Sequence, residues 1–423
     1  MKKYVVLTAI LIAAFQVQAG TMKFDFTKGK QVKGGPEKIT QASVYTPEVG
    51  YGYDLLPAPK ENSNEPFFFS VAVPDGNYRV TVQIGSKKKA GVTTLKGECR
   101  RLFIDNLKTK KGEIVTKSFI VNKRDSKIDE KENVGLKDRE RGSLTWDEKL
   151  TLEINGSAPV IESITIEPAN VPTVYLCGNS TVVDQRNEPW ASWGQMIPVF
   201  FNDQVAISNH AESGLAARSF LGSRRLKKIL TTLKPGDFVF VEFGHNDSKE
   251  KGAGAGAYFS YMYNLKIFVD EVRAKGATPV LVTPTQRRQF DDNAKIRNTH
   301  GEYPDAMKFL AQKENVALID LNAMTKTLFE AMGVEPSKNA LVHYPAHTFP
   351  GQEKPLADNT HFNPYGAYEV AKCVMEGIRQ SDLSLKSYIR EGYAPFNPAQ
   401  PDAFETYHWD PSPFSEIEKP DGN

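Results

Sequence analysis

The stretch Val171–Asp184, "VPTVYLCGNSTVVD", decides the fold. Its first half is a short apolar run that reads as a buried strand. Its second half leaves that strand directly into Gly178-Asn179-Ser180. Gly, Asn and Ser are common turn formers, so a plain turn is one reading. The other is a serine placed at the C-terminal end of a strand, where nucleophiles of open α/β sheets sit.

Downstream of this point apolar runs alternate with helical periodicity. "TVYLC", "QVAISNHA", "DFVFVEFG", "TPVLVTP" and "VALIDL" read as strands, whereas "RLKKILTTL", "YFSYMYNLKIFVDEVRAKG" and "YPDAMKFLAQKEN" read as helices, with Gly276 as a C-cap and a final helix over 364–380. Such alternation predicts a parallel sheet with helices on both faces. Upstream, residues 20–170 read as all-β. The segments 67–85, 101–122 and 149–168 each give strand, turn, strand, with Asn155-Gly156 as the turn of the last. Short strands at this spacing predict a sandwich. The charged segment 123–141 reads as a solvated loop. The expected organisation is a leader over 1–19, a β-sandwich over 20–170, an α/β/α domain over 171–390 and a Pro- and aromatic-rich tail over 391–423.

The leader has Lys2 and Lys3, an apolar core from Val5 to Phe15, and Val17-Gln18-Ala19 as a cleavage site. This predicts export, periplasmic or extracellular, after cleavage near Ala19. No later run has the ~20 apolar residues of a membrane helix. The net charge of +2 argues against a nucleic-acid binder. The three cysteines, Cys99, Cys177 and Cys373, form no disulfide framework and read as buried thiols. No Cys/His spacing suggests zinc. "GAGAGA" (252–257) lacks the Gly-Lys-Ser/Thr ending of a phosphate loop and reads as a flexible loop.

A serine nucleophile needs a base, an orienting group and oxyanion donors. Three segments supply those types. "NHAESGLAARSF" (209–220) places Gly214 after a strand, where its backbone N–H can approach a ligand. "FVFVEFGHNDS" (238–248) ends a strand in Gly244-His245-Asn246-Asp247. "LADNTHFNPYGAYEVAK" (356–372) sets Asp358 three residues before His361, near a helix start. A carboxylate so placed can hold the imidazole tautomer. His245 reads as shaping its loop rather than as a base.

Together these blocks resemble the SGNH (GDSL-like) hydrolases, and within them the rhamnogalacturonan acetylesterase-like branch. The resemblance covers about residues 171–380 and implies a three-layer SGNH-type domain. The all-β region is similar to a galactose-binding-like sandwich. By this resemblance Ser180 is the nucleophile, His361 the general base and acid, and Asp358 its orienter. The Ser180 and Gly214 N–H groups and the Asn246 side chain form the oxyanion hole. No metal or organic cofactor is implied. The substrate implied is an acetylated polysaccharide, above all pectic rhamnogalacturonan. Trp190, Trp193, Arg218, Arg287 and Arg288 are candidate sugar contacts; surface charge for the arginines and core packing for the tryptophans are the competing readings. The family usually has Asp where this chain has Asn179. That departure motivates one alternative, a non-catalytic carbohydrate-binding protein with a decayed hydrolase domain. A short-chain lipase or thioesterase is another.

Overall fold

The computed structural model describes residues 20–60, 63–415 and 418–421; the leader expected at 1–19 lies outside the described residues. The first half forms strands β1 (Met22–Asp25), β2 (Glu37–Lys38), β3 (Tyr51–Asp54), β4 (Phe67–Ala72), β5 (Gly76–Gly85), β6 (Gly91–Gly97), β7 (Arg101–Thr109), β8 (Ile114–Lys123), β9 (Lys149–Ala158) and β10 (Ile161–Pro168). The second half adds β11 (Thr173–Cys177), β12 (Ala206–Asn209), β13 (Phe238–Glu242), β14 (Thr278–Val282), β15 (Ala317–Ile319), β16 (Leu341–Tyr344) and β17 (Leu356–Phe362). Its helices are α1 (Trp193–Met196), α2 (Ala217–Gly222), α3 (Arg225–Thr232), α4 (Met262–Ala274), α5 (Tyr303–Glu314), α6 (Leu321–Met332) and α7 (Pro364–Gln380).

The three strand–turn–strand segments of the first half do not make hairpins. In each, the turn carries the chain from one sheet to the other. β4, β7 and β9 belong to a five-stranded sheet ordered β3-β4-β9-β6-β7, whereas β5, β8 and β10 lie in the facing sheet. The core between them takes Phe69, Val71, Leu150, Leu152 and Ile154 from one side and Val80, Val82, Val121, Ile164 and Ile166 from the other. Period-two alternation supplies both faces. Asn155-Gly156 is not the turn. Both residues lie inside β9, where the pairing with β6 shifts register between Val92 and Thr94. Gly156 has φ of +123°, and a Cβ there would lie 2.3 Å from the Val92 carbonyl oxygen. The glycine therefore serves a strand irregularity with close backbone approach, not a reversal.

In the second half the strand order is β15-β14-β13-β11-β12, all parallel. Alternating residues of one strand feed two cores. Val174 and Leu176 pack with α1, α6 and α7, whereas Tyr175 and Cys177 pack with α2 to α5. The order reverses at β11, which is flanked by β12 and β13. In open α/β sheets such a switch point leaves a crevice beyond the strand C-termini. Ser180 follows β11, Gly214 follows β12 and Asn246 follows β13, so all three blocks reach one edge.

The two halves share one sheet. β12 pairs with β8 through Ile207 and Val121, which joins the parallel strands to β8-β5-β10-β1-β2 in a single sheet of ten. The side chain of Arg101, fully buried, stitches this junction: its Nη1 donates to the Ile207 carbonyl at 3.0 Å and its Nη2 to the Asn122 carbonyl at 2.9 Å. Its Nε lies 3.1 Å from the Asp184 carboxylate. Arg100 beside it donates to the carbonyls of Gln185 and Trp190, each at 3.0 Å, and pairs with Glu188. The tail also docks. Trp409 donates to Glu188, and Asp410 accepts from Thr94 and Lys96. All three cysteines are buried free thiols. The "GAGAGA" loop is largely exposed and leads through one wide turn into α4.

Candidate active site

Gly178 has no room for a side chain. A Cβ there would lie 2.5 Å from Val182 Cγ2 and 3.1 Å from the Glu242 carbonyl. The turn that follows is held by Asn179, whose Oδ1 accepts from the Thr181 amide at 3.1 Å and the Thr181 hydroxyl at 3.0 Å. Gln185 Nε2 donates to the Ser180 carbonyl at 2.7 Å. The Ser180 side chain is thereby fixed at the β11 edge, 4% exposed.

His361 Nε2 lies 2.9 Å from Ser180 Oγ, and His361 Nδ1 lies 2.8 Å from Asp358 Oδ2. The other Asp358 oxygen accepts the backbone N–H groups of Thr360 at 2.8 Å and His361 at 3.0 Å. Burial would raise the Asp358 carboxyl, but the His361 hydrogen bond and charge and these two amides outweigh it and hold it well below the usual carboxylate range. Asp358 and His361 are residues of strand β17, not of a helical turn. In a regular strand, positions three apart face opposite sides. The local bonds of Asp358 and the register shift between Leu341 and His343 in the β16–β17 pair bring the two side chains together.

The motif residues after His361 are architectural. Asn363 caps α7 by accepting from the Gly366 amide at 3.0 Å. A Cβ on Gly366 would lie 1.8 Å from the Ala340 carbonyl oxygen, so only glycine lets α7 pack there.

Gly214 has φ of +78°. Among the described residues neither its amide nor that of Ser180 donates to another group of the protein. Asn246 Nδ2 donates to the Leu215 carbonyl at 3.1 Å, which leaves its second N–H for a ligand. Asp247 ties these two loops together: its carboxylate accepts from the Ala217 and Gly244 amides, both at 2.8 Å. Burial pushes the Asp247 carboxyl up to about 7. A Cβ on Gly244 would meet Pro284 Cγ at 2.7 Å. His245 touches no reacting group. It is buried and packs edge-on against His300 at 4.5 Å, and burial, with the nearby Arg287 charge, lowers its imidazole well below the usual histidine range.

The expected sugar contacts fare differently. Trp190 is 1% exposed and Trp193 fully buried, with the Trp193 Nε1 donating to Glu242 at 2.5 Å; both rings are core, and neither offers a face to a sugar. Arg287 is half-buried and donates to the His245 carbonyl at 3.0 Å. Arg288 is buried on Ser337, Asn359 and Val334. Arg218 is exposed on α2.

Segment 123–141, expected as a solvated loop, is exposed at Lys127, Asp129 to Lys131 and Asp138, but other members pack on the catalytic domain. Glu140 is buried against Arg225 at 2.6 Å and the Trp146 N–H at 3.1 Å. Lys137 donates to the Ser213 carbonyl at 2.6 Å, and Arg139 pairs with Glu212. A run of charges carries no periodic signal, so its buried members were not distinguishable in the sequence; the adjacent pair Arg100-Arg101 opening an apolar strand was the one visible hint of an interdomain contact. Among the described residues no group of three or more His, Cys, Asp or Glu side chains is placed to hold a metal ion, and no helix is long and apolar enough to cross a membrane.

Residues 176–367 match the family described as the GDSL-like Lipase/Acylhydrolase family. The chain is 44% identical over 223 residues to the rhamnogalacturonan acetylesterase RhgT of Bacillus subtilis, covering 52% of this chain and 95% of that protein. It is 35% identical over 224 residues to the probable rhamnogalacturonan acetylesterase YesY of the same organism, covering 52% and 98%. The crystal structure of Bacillus subtilis YxiM superposes with a TM-score of 0.46 at 23% identity, covering 86% of this chain and 99% of that one. The chain belongs to the GDSL-like lipase/acylhydrolase family and is a serine esterase.

Proposed function

We propose that this protein is an exported carbohydrate esterase that removes O-acetyl groups from pectic polysaccharide, rhamnogalacturonan in particular. The observation that carries the chemistry is the continuous chain from Ser180 Oγ through His361 to Asp358, at 2.9 and 2.8 Å. The similarity to RhgT supports the substrate class.

In this reading His361 Nε2 takes the Ser180 hydroxyl proton as Oγ attacks the acetyl carbonyl. Asp358 keeps the proton of Nδ1 in place and stabilises the imidazolium that forms. The developing oxyanion is received by the Ser180 and Gly214 amides and the free N–H of Asn246. Collapse expels the sugar alkoxide, which takes its proton from His361. Water, activated by the same imidazole, then releases acetate from Ser180. Leader cleavage near Ala19 would deliver the enzyme to its polymeric substrate outside the cytoplasm.

Acetate release from acetylated rhamnogalacturonan and from acetylated xylan tests the reading, with Ser180→Ala as control. Preferential release from the pectic polymer, abolished by the substitution, is expected. Inertness toward both polymers and toward p-nitrophenyl acetate would sink it. Asn246→Ala should lower kcat by about 10²–10³ while the protein stays folded; near-wild-type turnover would remove Asn246 from the oxyanion hole.

A further inference from the structure

The Gly214 loop is not open to solvent on its outer side. Asp421, in the tail, sets one carboxylate oxygen 3.0 Å from Lys137 Nζ and 3.1 Å from Arg139 Nη2. Both cations also donate to the Ser213 carbonyl, at 2.6 and 3.1 Å. A Cβ on Gly214 would lie 2.9 Å from the Asp421 Cβ and 3.1 Å from the Lys137 ammonium. Two residues earlier, Lys419 Nζ lies 3.9 Å from Asp358 Oδ2. The tail thus runs from the outer member of the catalytic chain to the oxyanion glycine and sets a carboxylate beside it.

Three features make this a site for an anion rather than a fixed structural bridge. Asp421 is the one acid partner of the Lys137 ammonium among the described residues. The Asp421 side chain is 57% exposed, and an exposed ion pair contributes little to holding a segment in place. The cations, in contrast, are anchored. Lys137 is held on Ser213, and Arg139 on Ser213 and the buried Glu212, whose segment packs against the hydrolase half through Glu140 and Arg225. Remove the Asp421 carboxylate and two ordered cations stand beside the Gly214 loop, held on the Ser213 carbonyl.

We propose that Lys137 and Arg139 form the subsite for a sugar carboxylate of the substrate, a galacturonate next to or bearing the acetyl group, and that Asp421 occupies it until substrate displaces the tail. This rests on the pectic reading above and adds that the β-rich half supplies the specificity. Both cations lie outside residues 176–367, the segment matched to the family. The active site is therefore composite, and the tail competes with acidic substrate for it. A neutral acetylated sugar gains nothing from the pair.

The test is calorimetric titration of trigalacturonate into the full-length protein, as wild type, Lys137→Met and Asp421→Asn. Binding weakened about tenfold or more by Lys137→Met and strengthened about tenfold by Asp421→Asn is expected. Equal affinity in all three, or no binding even to Asp421→Asn, overturns the subsite. Asp421 is exposed, so its variant decides the matter if Lys137→Met does not fold. In parallel, the ratio of kcat/KM on acetylated rhamnogalacturonan oligosaccharides to that on acetylated xylo-oligosaccharides should fall in Lys137→Met and rise in Asp421→Asn; a constant ratio also overturns the proposal. Failure of the pectic reading shows separately, as absence of acetate release by the wild type, and leaves the titration to decide the subsite on its own.

Discussion

Four residues apart on one loop, Ser180 and Asp184 enter two buried polar constellations that are built alike and constrained oppositely. Ser180 meets His361 and Asp358; Asp184 meets Arg101. Around Arg101 donors are consumed: its two terminal nitrogens go to carbonyls on β8 and β12, the strands it joins. Around Ser180 they are withheld, since among the described residues the Ser180 and Gly214 amides and one Asn246 N–H engage no other group of the protein. The first arrangement fixes two halves of a molecule. In the proposed reaction the second keeps donors ready for charge that exists only during turnover. Gln185 stands between them: its side chain donates to the Ser180 carbonyl, and its backbone carbonyl accepts from Arg100, the neighbour of Arg101.

This comparison predicts that the two constellations fail in different currencies. Ser180→Ala should lower kcat by about 10⁴–10⁶ and leave the thermal transition within a few degrees of wild type, because a small buried hydroxyl is lost and no charge is orphaned. A large loss of stability in that variant would mean that the catalytic chain is itself a structural staple. Arg101→Met should do the reverse. It leaves Asp184 buried beside two carbonyls without their donors, and stability in denaturant unfolding should fall by about 3–5 kcal/mol. Ester hydrolysis per folded molecule should fall far less than in Ser180→Ala. If Arg101→Met unfolds no more easily than wild type, the ten-stranded sheet is not held by this arginine and the halves dock by apolar packing alone.

The same contrast explains what the sequence made legible. Strands β11 to β15 stand out as apolar runs, as expected for strands covered on both faces, and helices α3, α4, α5 and α7 are readable beside them. The catalytic blocks were readable because each lies within a few residues at a strand end or, for Asp358 and His361, just before α7. The sandwich strands were readable by alternation, but their pairing was not, since Pro74-Asp75-Gly76 can close a hairpin or carry the chain between sheets with equal local chemistry. Helix α6 went unread, for its pattern follows β15 with little break. What the interdomain arginines and the Lys137–Arg139 pair would meet is illegible for a further reason: burial of a charge depends on a partner distant in sequence, and Arg101 meets Ile207 106 residues away.

Asn179 holds the turn beside Ser180, and it carries the smallest effect. Its Oδ1 shares Thr181 with Glu242: the Thr181 hydroxyl lies 3.0 Å from Asn179 Oδ1 and 2.8 Å from Glu242 Oε1. Glu242 is fully buried, and burial pushes its carboxyl up to about 7 against the bonds from Trp193, Thr181 and the Thr285 amide. A second carboxylate at 179 would join Glu242 through one hydroxyl, and like charges so placed raise each other. Asparagine keeps the acceptor that holds the turn and omits the charge. A carboxyl protonated in the fold but ionised in the unfolded chain binds more protons when folded, so its stabilising effect is lost as pH rises from the unfolded value through the folded one. Asn179→Asp should therefore leave hydrolysis within about threefold of wild type, since the acceptor for the Thr181 amide survives. Its melting temperature should approach wild type at pH 5.5 and fall below it at pH 8 by the equivalent of roughly 1–2 kcal/mol. A gap that does not widen with pH would show that Glu242 and residue 179 titrate independently, and would remove the electrostatic reason for asparagine in this turn.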